Sequence, residues 1–540
     1  MKIRLVLQQL GLVLLVMCLC MLMITAWATW QWYAAAQRDE YYAILGLGGT
    51  ITIGAFVGLV LWFVSRRKLN GENESALAHW EDDTLGRREA LLLVALTWLI
   101  GAALSGLPYF FWWHFNADHL LNPATTSGHE FASFASCYFE AMSGLTTTGS
   151  TVLSDITGIP RALLLWRAMT HWLGGLGIVV LFVAVLPNLG VGGKRLFFVE
   201  APGPQQQGVR PRIRETARIL WLIYLFFTII QVLLYKYFGL TWFEAVCHTF
   251  ATLATGGFST HNASIGYYNA QRIGVFDSWM VDWITILFMI LAGVNFGLYY
   301  HLARRRFKVV WKDPELRTYL AIIGVATVIV SGYLIGSTIT VTDGSTVEGT
   351  VPESVRYGMF QVVSIQTTTG FGTADFNLWP FVPKMVLLLL MFVGASAGST
   401  GGGIKVIRIL IGFKIIIAEI ERIFRPNVVR PIRIGGSTIS AELKQAVLVY
   451  IIGIFVLFGA GSILLMIFEP EGSISYATAA TASAATLNNI GPGLDQVGAI
   501  ENYGFFSTPS KIVMSLLMAL GRLEVYAILV LFTPSFWRSE

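Results

Sequence analysis

Long, predominantly apolar runs recur along the chain, and polar residues gather between them. The runs cover residues 5–30, 42–64, 90–113, 162–186, 217–238, 279–300, 320–339, 384–399 and onward, 446–468 and 512–532. About 20 apolar residues carry a helix across a bilayer core, so the pattern predicts ten crossings. Lys2 and Arg4 precede the first run, a second run follows closely, and Ala34-Ala35-Ala36 is the nearest cleavage candidate. The first run is longer than a leader's apolar region, so it reads as a retained helix.

The polar segments alternate in charge. One set carries Arg66-Arg67-Lys68 with Arg87-Arg88, Lys194-Arg195 with Arg210, Arg212 and Arg214, and Arg304-Arg305-Arg306 with Lys308 and Lys312. It continues from Lys405 and Arg408 through Lys414, Arg422, Arg425, Arg430 and Arg433. The opposite set is far poorer, and residues 115–138 hold no Lys or Arg. The positive-inside rule then places the basic loops and both termini in the cytoplasm.

On the other side a finer pattern recurs four times. A short apolar segment (131–144, 241–253, 355–366, 474–487) lies between an outward and an inward crossing. Each is too short to span and suits a helix that dips in and stops. Each runs into a small knot of residues. The knots read Thr146-Thr147-Thr148-Gly149, Ala254-Thr255-Gly256-Gly257, Thr367-Thr368-Thr369-Gly370 and Asn488-Asn489-Ile490-Gly491. Taking Gly149, Gly256, Gly370 and Gly491 as markers gives a nearly constant period, the mark of an internal repeat. The expected organisation is residues 1–70 as two additional helices, then pore units at 90–195, 210–308, 317–435 and 440–540.

Irregular backbone at membrane depth is tolerated only inside protein or against a watery cavity. Four such stretches in one chain therefore point to one shared cavity, with the knots converging on it. Extended segments there would present rings of carbonyl oxygens to a dehydrated cation, and glycine frees the backbone to aim them. Thr147, Thr255 and Thr369 either offer carbonyls to the ion or support the shape of the knot. The re-entrant helices would point their negative C-terminal ends at the cavity. No knot contains a carboxylate, which favours a monovalent ion; carbonyls alone do not separate potassium from sodium.

The eighth run carries the second signal. Five glycines fall in Gly394-Ala395-Ser396-Ala397-Gly398-Ser399-Thr400-Gly401-Gly402-Gly403, each costing about 1 kcal/mol in a helix interior. The helix should break there, and the loop should face the cavity beneath the knots as a gate built on Gly398, Ser399, Thr400, Gly401, Gly402 and Gly403. Arg522 sits in the last run, where a guanidinium facing lipid is expensive. It should point inward, donate to the loop's carbonyls and repel cations while the gate is shut.

Composition narrows the alternatives. Of 540 residues, 55% are hydrophobic and 13% charged, with a mean hydropathy of +0.64; a soluble chain carries about twice that charge. The net charge of +5 follows from the basic loops and gives no reason to expect nucleic acid. Cys18, Cys20, Cys137 and Cys247 have neither metal-site nor disulfide spacing, and His171 and His248 read as structural, with no transition-metal site. A membrane enzyme would need catalytic groups; the chain has no His-Glu-x-x-His and no convincing pair of intramembrane aspartates. A transporter that rocks inverted repeats fits less well, because all four units run in the same order and orientation. Proton or sodium coupling stays open. Glu140 either anchors its helix to the knot or faces the vestibule, and Asp375 and Asp495 either gather cations at the mouth or are solvated loop residues. The basic underside either meets anionic lipid or docks a partner.

The ordered set of motifs resembles the Trk/Ktr/HKT superfamily of potassium transporters, and within it the bacterial TrkH/TrkG type. The resemblance rests on Gly144-Leu145-Thr146-Thr147-Thr148-Gly149, Trp172-Leu173-Gly174-Gly175-Leu176-Gly177, Pro211-Arg212-Ile213-Arg214-Glu215-Thr216-Ala217 and the stretch from His248 to Thr260. It continues through Ser364-Ile365-Gln366-Thr367-Thr368-Thr369-Gly370-Phe371, Gly398 to Lys405, Leu487 to Gly493 and Gly521-Arg522-Leu523-Glu524. It implies an all-α polytopic membrane protein of the bacterial inner membrane. Four M1–pore helix–M2 repeats would surround one pore in a pseudo-fourfold arrangement, with two extra N-terminal transmembrane helices. It also implies potassium (K+) uptake, a homodimer, and a cytoplasmic TrkA-like nucleotide-binding regulatory subunit. The chain departs from the family pattern at Gln366, at Gly372 and in the external loop 338–353.

Overall fold

The computed structural model describes residues 1–35, 38–66, 86–116, 127–175, 177, 213–270, 278–426, 431–435 and 437–538. The far half of the run 162–186 and the basic positions Arg67, Lys68, Lys194, Arg195, Arg210, Arg212 and Arg430 lie outside the described residues. The fold is an all-α polytopic membrane architecture, with two small hairpins, 338–340 with 346–348 and 433–434 with 437–438.

Among the described residues, six helices have the length and apolar composition to cross a membrane: Ile3–Tyr33, Glu40–Ser65, Arg88–Phe115, Ala217–Tyr237, Pro314–Leu334 and Ala441–Phe468. The first two pair closely because glycines sit at their contact. A methyl on Gly11 would come 2.6 Å from the Gly58 carbonyl, and one on Gly58 would come 3.0 Å from that of Gly11. Backbones can approach this way only where side chains are absent. Cys18 is buried in the same seam, against Gly54.

From Arg87 onward, one path is traced four times. An outer helix (Arg87–Phe115, Ile213–Tyr237, Pro314–Leu334, Ala441–Phe468) is followed by a re-entrant helix (Phe134–Leu145, Trp242–Leu253, Val351–Gln366, Tyr476–Leu487). After a reversal comes an inner helix: Arg161–Gly175, Trp279–Gly293, Phe381–Val393 or Thr508–Arg522. Local chemistry starts these elements where the sequence allows. Thr241 and Glu244 form a capping box, Ser475 caps through the Thr478 N–H, and Asp313 with Pro314 opens the third outer helix.

The sequence predicts a break only in the eighth run; the inner helices break at further places. The second, third and fourth have 15, 13 and 15 residues, about 20–23 Å at 1.5 Å per residue, which is short of a bilayer core; the first is described only as far as Gly175. The second turns by 94° into Phe296–Ala303, whose first turn is capped by Asn295 accepting from the Gly297 N–H at 2.8 Å. The third stops at Gly394, φ +72°. The fourth stops before two left-handed residues, Glu524 and Val525, at φ 54° and 64°. The second and third breaks lie against each other, the Ser396 N–H donating to Gly293 O and the Phe296 N–H to Gly398 O.

Packing between units runs in one direction. The inner helix Arg161–Gly175 lies on the second re-entrant helix, Trp279–Gly293 on the third, Phe381–Val393 on the fourth and Thr508–Arg522 on the first. The circuit closes on itself.

Candidate ion pathway

All four re-entrant helices end alike. In the first, the Thr147 N–H donates to Gly144 O at 3.1 Å and the Thr148 N–H to Ser143 O at 2.8 Å. The same two bonds recur at Thr255 and Gly256, at Thr368 and Thr369, and at Asn489 and Ile490. This is the Schellman ending, whose left-handed residue is usually glycine. Here it is Thr147, Thr255, Thr368 and Asn489, at φ 54° to 59°. For a β-branched residue that conformation costs roughly 1–2 kcal/mol, and it persists because the surroundings over-determine it. Part of that support is visible: Thr146 Oγ1 lies 2.8 Å from Thr148 Oγ1, and Thr367 Oγ1 lies 2.8 Å from Thr369 Oγ1.

Two residues further on, a second left-handed position falls at Gly149, Gly257, Gly370 and Gly491. A methyl on Gly149 would strike the carbonyl of Gly256, one on Gly257 that of Thr369, and one on Gly370 that of Ile490. One on Gly491 would come 2.9 Å from the carbonyl of Thr148. Each knot thus leans on the next and the fourth returns to the first, where Asn489 Nδ2 also donates to Thr148 Oγ1 at 3.0 Å. The four knots form a closed ring. Their outer glycines line one vestibule with Ser150, Ser264 and Tyr503.

The ring corrects the repeat register. The structural equivalent of Gly149 in the second knot is Gly257, not Gly256, and the equivalent of Thr147 and Thr255 in the third is Thr368, not Thr369. The signal was in the sequence. Gly257-Phe258 matches Gly370-Phe371, which aligns Thr255 with Thr368. Gly256 instead faces the ring of His171. That histidine is buried between two knots, with Nδ1 at 2.7 Å from Gly144 O and Nε2 accepting from the Phe258 N–H at 3.2 Å. His248 bonds Glu244 O and Ser259 Oγ. No group that could hold a transition metal occurs among the described residues.

Beneath the ring lies the loop between Val393 and Val406. The Gly402 N–H donates to Thr368 Oγ1 at 2.7 Å. A methyl on Gly401 would come 2.9 Å from Thr367 O, and one on Gly402 would strike Asn488 O. Thr400 Oγ1 is 3.4 Å from Thr255 Oγ1. The loop therefore fills the space directly under knots two, three and four. Its neighbours hold it by backbone contacts, Ser396 N–H to Gly293 O at 3.0 Å and Phe296 N–H to Gly398 O at 3.0 Å. Gly394 to Gly398 has the spacing of a hydrolase nucleophile elbow, but no strand precedes it and Ser396 Oγ has no hydrogen-bond partner among the described residues.

Two acids and three bases surround the loop. Arg522 Nη1 donates to Thr400 O at 2.7 Å, and its Nη2 donates to Gly174 O and Gly175 O at 2.6 and 2.9 Å. It ties the loop to the end of the first inner helix. The Lys405 ammonium donates to Gly401 O. Arg408 pairs with Glu524 at 2.7 Å and lies over the Tyr450 ring. Glu315 carries no sequence signature, yet its Oε1 accepts from the Ala397 N–H at 2.7 Å and the Ile407 N–H at 3.2 Å. One carboxylate holds both stems of the loop.

Other expected residues have structural positions. Glu140 does not face water: it is fully buried and pairs with Arg167 at 2.7 Å. Asp375 is buried and accepts from the Asn377 N–H at 3.0 Å. Asp495 accepts from Ser475 and Thr478. Gln366 donates to Gly394 O at 2.7 Å, joining the third re-entrant helix to the break. Within the external loop 338–353, residues 338–340 and 346–348 pair as a hairpin, 351–353 already belong to the third re-entrant helix, and Thr342 donates to Ala263 O at 2.6 Å.

The chain is similar to proteins of known kind over its whole length. The family model "TrkH: Cation transport protein" matches residues 111–539. The Trk system potassium uptake protein TrkH of Escherichia coli K12 is 37% identical over 495 residues, covering 91% of each chain. The TrkH protein of Halomonas elongata is 36% identical over 544 residues, the full length of both. The crystal structure of the potassium transporter TrkH from Vibrio parahaemolyticus superposes with a TM-score of 0.78 at 33% identity, covering 100% of both chains. A ring of re-entrant turns over an intramembrane loop, in a chain so matched, leads to one conclusion: this protein belongs to the TrkH family of cation transport proteins and is not an enzyme.

Proposed function

We propose that the chain carries potassium into the cell across the bacterial inner membrane, through a filter formed by the four knots. The four units act as M1–pore helix–M2 repeats in a pseudo-fourfold arrangement around one pore. The filter residues are Thr146, Thr147, Thr148 and Gly149; Ala254, Thr255, Gly256 and, by register, Gly257; Thr367, Thr368, Thr369 and Gly370; and Asn488, Asn489, Ile490 and Gly491. Potassium is the cargo, and the carbonyls of these residues replace its water. The loop 398–403 with Arg522 obstructs the path in the closed state. Opening comes when a TrkA-like nucleotide-binding subunit acts from the cytoplasmic side on the segment from Lys405 to Arg408. The protein works as a homodimer with both termini in the cytoplasm.

The observation that carries this reading is the closure of the ring, each outer glycine set against the next knot's carbonyl around all four. Irregular backbone at membrane depth is tolerated only inside protein or against a watery cavity, and a ring of converging carbonyls suits a dehydrated cation. Expression in a bacterium stripped of its potassium uptake systems tests it. Growth and rubidium uptake at low external potassium should be restored, more fully with a regulatory subunit than without. Failure of a membrane-inserted protein to restore either would refute the reading.

A further inference from the structure

Behind the ring, each re-entrant helix holds the chain that climbs away from its own knot, and it does so with a different side chain. In the first, Glu140 Oε2 accepts from the Val152 N–H at 2.9 Å. In the second, His248 Nε2 lies 3.0 Å from Ser259 Oγ. In the third, the Gln361 amide oxygen, turned toward the climbing chain, accepts from the Thr373 and Ala374 N–H groups at 2.8 and 3.2 Å. In the fourth, Thr481 Oγ1 accepts from the Leu494 N–H at 3.0 Å. Glu140, His248 and Gln361 stand six residues before the first residue of their knots, and Thr481 seven. Each reaches two to four residues beyond its outer glycine.

The first of these differs in carrying a charge. Glu140 also accepts from Thr151 Oγ1 at 3.0 Å and from Arg167 Nε at 2.8 Å. Arg167 extends the link to the second knot: its Nη1 donates to Ser259 O at 3.3 Å, and its guanidinium lies 4.0 Å from the centre of the Phe258 ring. Glu140 and Arg167 are 0% and 1% exposed, and Arg167 lies on the wall of the outer vestibule. Buried charges in this setting are held rigidly by their partners. The pair cancels what would otherwise be a bare cation beside the entrance.

We propose that these four side chains are positioning residues that fix the separation of the outer filter segments and so set ion discrimination, with the Glu140–Arg167 pair coupling knot one to knot two. The proposal rests on the reading of the knots as the filter. A knot held only at its inner end can spread toward the vestibule. A clamp at its outer end keeps the carbonyl ring at a fixed size. Glutamine already serves in the same register at position 361, so the fold accepts a neutral clamp where no arginine needs neutralising.

The test uses the purified full-length chain in liposomes, reading the potassium-to-sodium flux ratio and the bi-ionic reversal potential. Glu140→Ala should lower the ratio roughly tenfold, the size expected for a lost charged hydrogen bond. The double variant Glu140→Gln with Arg167→Met keeps an acceptor for Val152 and removes the unpaired cation but breaks the tie to knot two, so its ratio should fall between that of Glu140→Ala and the wild type. Gly370→Ser serves as the comparison. If Gly370→Ser changes the ratio and a monodisperse Glu140→Ala does not, the clamp is mere packing and the proposal is overturned. If Gly370→Ser also leaves the ratio unchanged, the filter reading itself falls. Should Glu140→Ala not fold, Gln361→Ala is judged by the same criterion.

Discussion

A left-handed threonine is an unusual choice for a helix ending, and three of the four knots make it. Glycine would relieve the strain, but it would also remove Oγ1 of Thr368 from the Gly402 N–H and Oγ1 of Thr255 from Thr400. The hydroxyls therefore link the knots to the loop beside them. Thr368→Val should keep the β-branched shape and lose that bond. Basal rubidium flux without a partner should rise severalfold, as the loss of about 1 kcal/mol of closed-state stabilisation implies. The outer glycines allow a sharper comparison. Gly257→Ser should lower the potassium-to-sodium flux ratio as much as Gly370→Ser, because either side chain meets a neighbouring knot's carbonyl. A Gly257→Ser protein with the wild-type flux ratio would undo the equivalence of Gly257 with Gly370.

Among the elements, the broken third inner helix has the most distinctive supports. Its loop is pinned from above by knots two to four, from one side by Arg522 and from below by Glu315. Glu315 lies in the first turn of the outer helix Pro314–Leu334 and follows the basic segment from Arg304 to Lys312, so a force on that segment can reach the loop through this carboxylate as well as through the Phe296 N–H on Gly398. Glu315→Gln weakens both N–H bonds, and basal flux should rise with the flux ratio unchanged. Arg522→Ala and a deletion within 398–403 should do the same, because none of the three touches the outer filter. Liposome rubidium efflux measures all of them. A folded loop deletion with wild-type basal flux would remove the loop from the gating role.

For the whole molecule, the closed circuit of inner and re-entrant helices is reinforced by buried charge. Asp282 on the second inner helix pairs with Arg356 on the third re-entrant helix at 2.7 Å, at 0% and 4% side-chain exposure. Lys511 on the fourth inner helix donates to Ser136 on the first re-entrant helix at 3.1 Å. Removing one member of a buried pair costs about 3–5 kcal/mol where the other is left uncompensated; Arg356 would keep Glu353 at 3.5 Å and Asn269, so the cost here should lie below that range. Asp282→Ala should lower the thermal midpoint of the detergent-solubilised protein clearly, whereas Asp282→Ala with Arg356→Met should recover much of the loss. A single variant as stable as the wild type would show that the pair does not hold the circuit together.

The sequence by itself determined what depends on neighbours along the chain. Helix length, apolar runs, re-entrant segments too short to span, and glycine-rich breaks are local properties, so the outer helices, the four knots and the loop after Val393 were legible. The match of Gly257-Phe258 to Gly370-Phe371 is another such local signal, and it sets the register of the second knot. Tertiary structure alone decided which distant residues meet. The contact of Gly491 with Thr148, the bonds from Arg522 to Thr400 and Gly174, and the two bonds of Glu315 join residues 82 to 348 positions apart. The breaks of the second and fourth inner helices, at Asn295 and at Glu524-Val525, have no proline and only weak local signals, Gly293 and Gly297 around the first and Gly521 before the second. They form because partners elsewhere in the ring receive the freed backbone and side-chain groups, Gly398 bonding Phe296 and Arg408 bonding Glu524. A helix pattern read one segment at a time has no access to those partners.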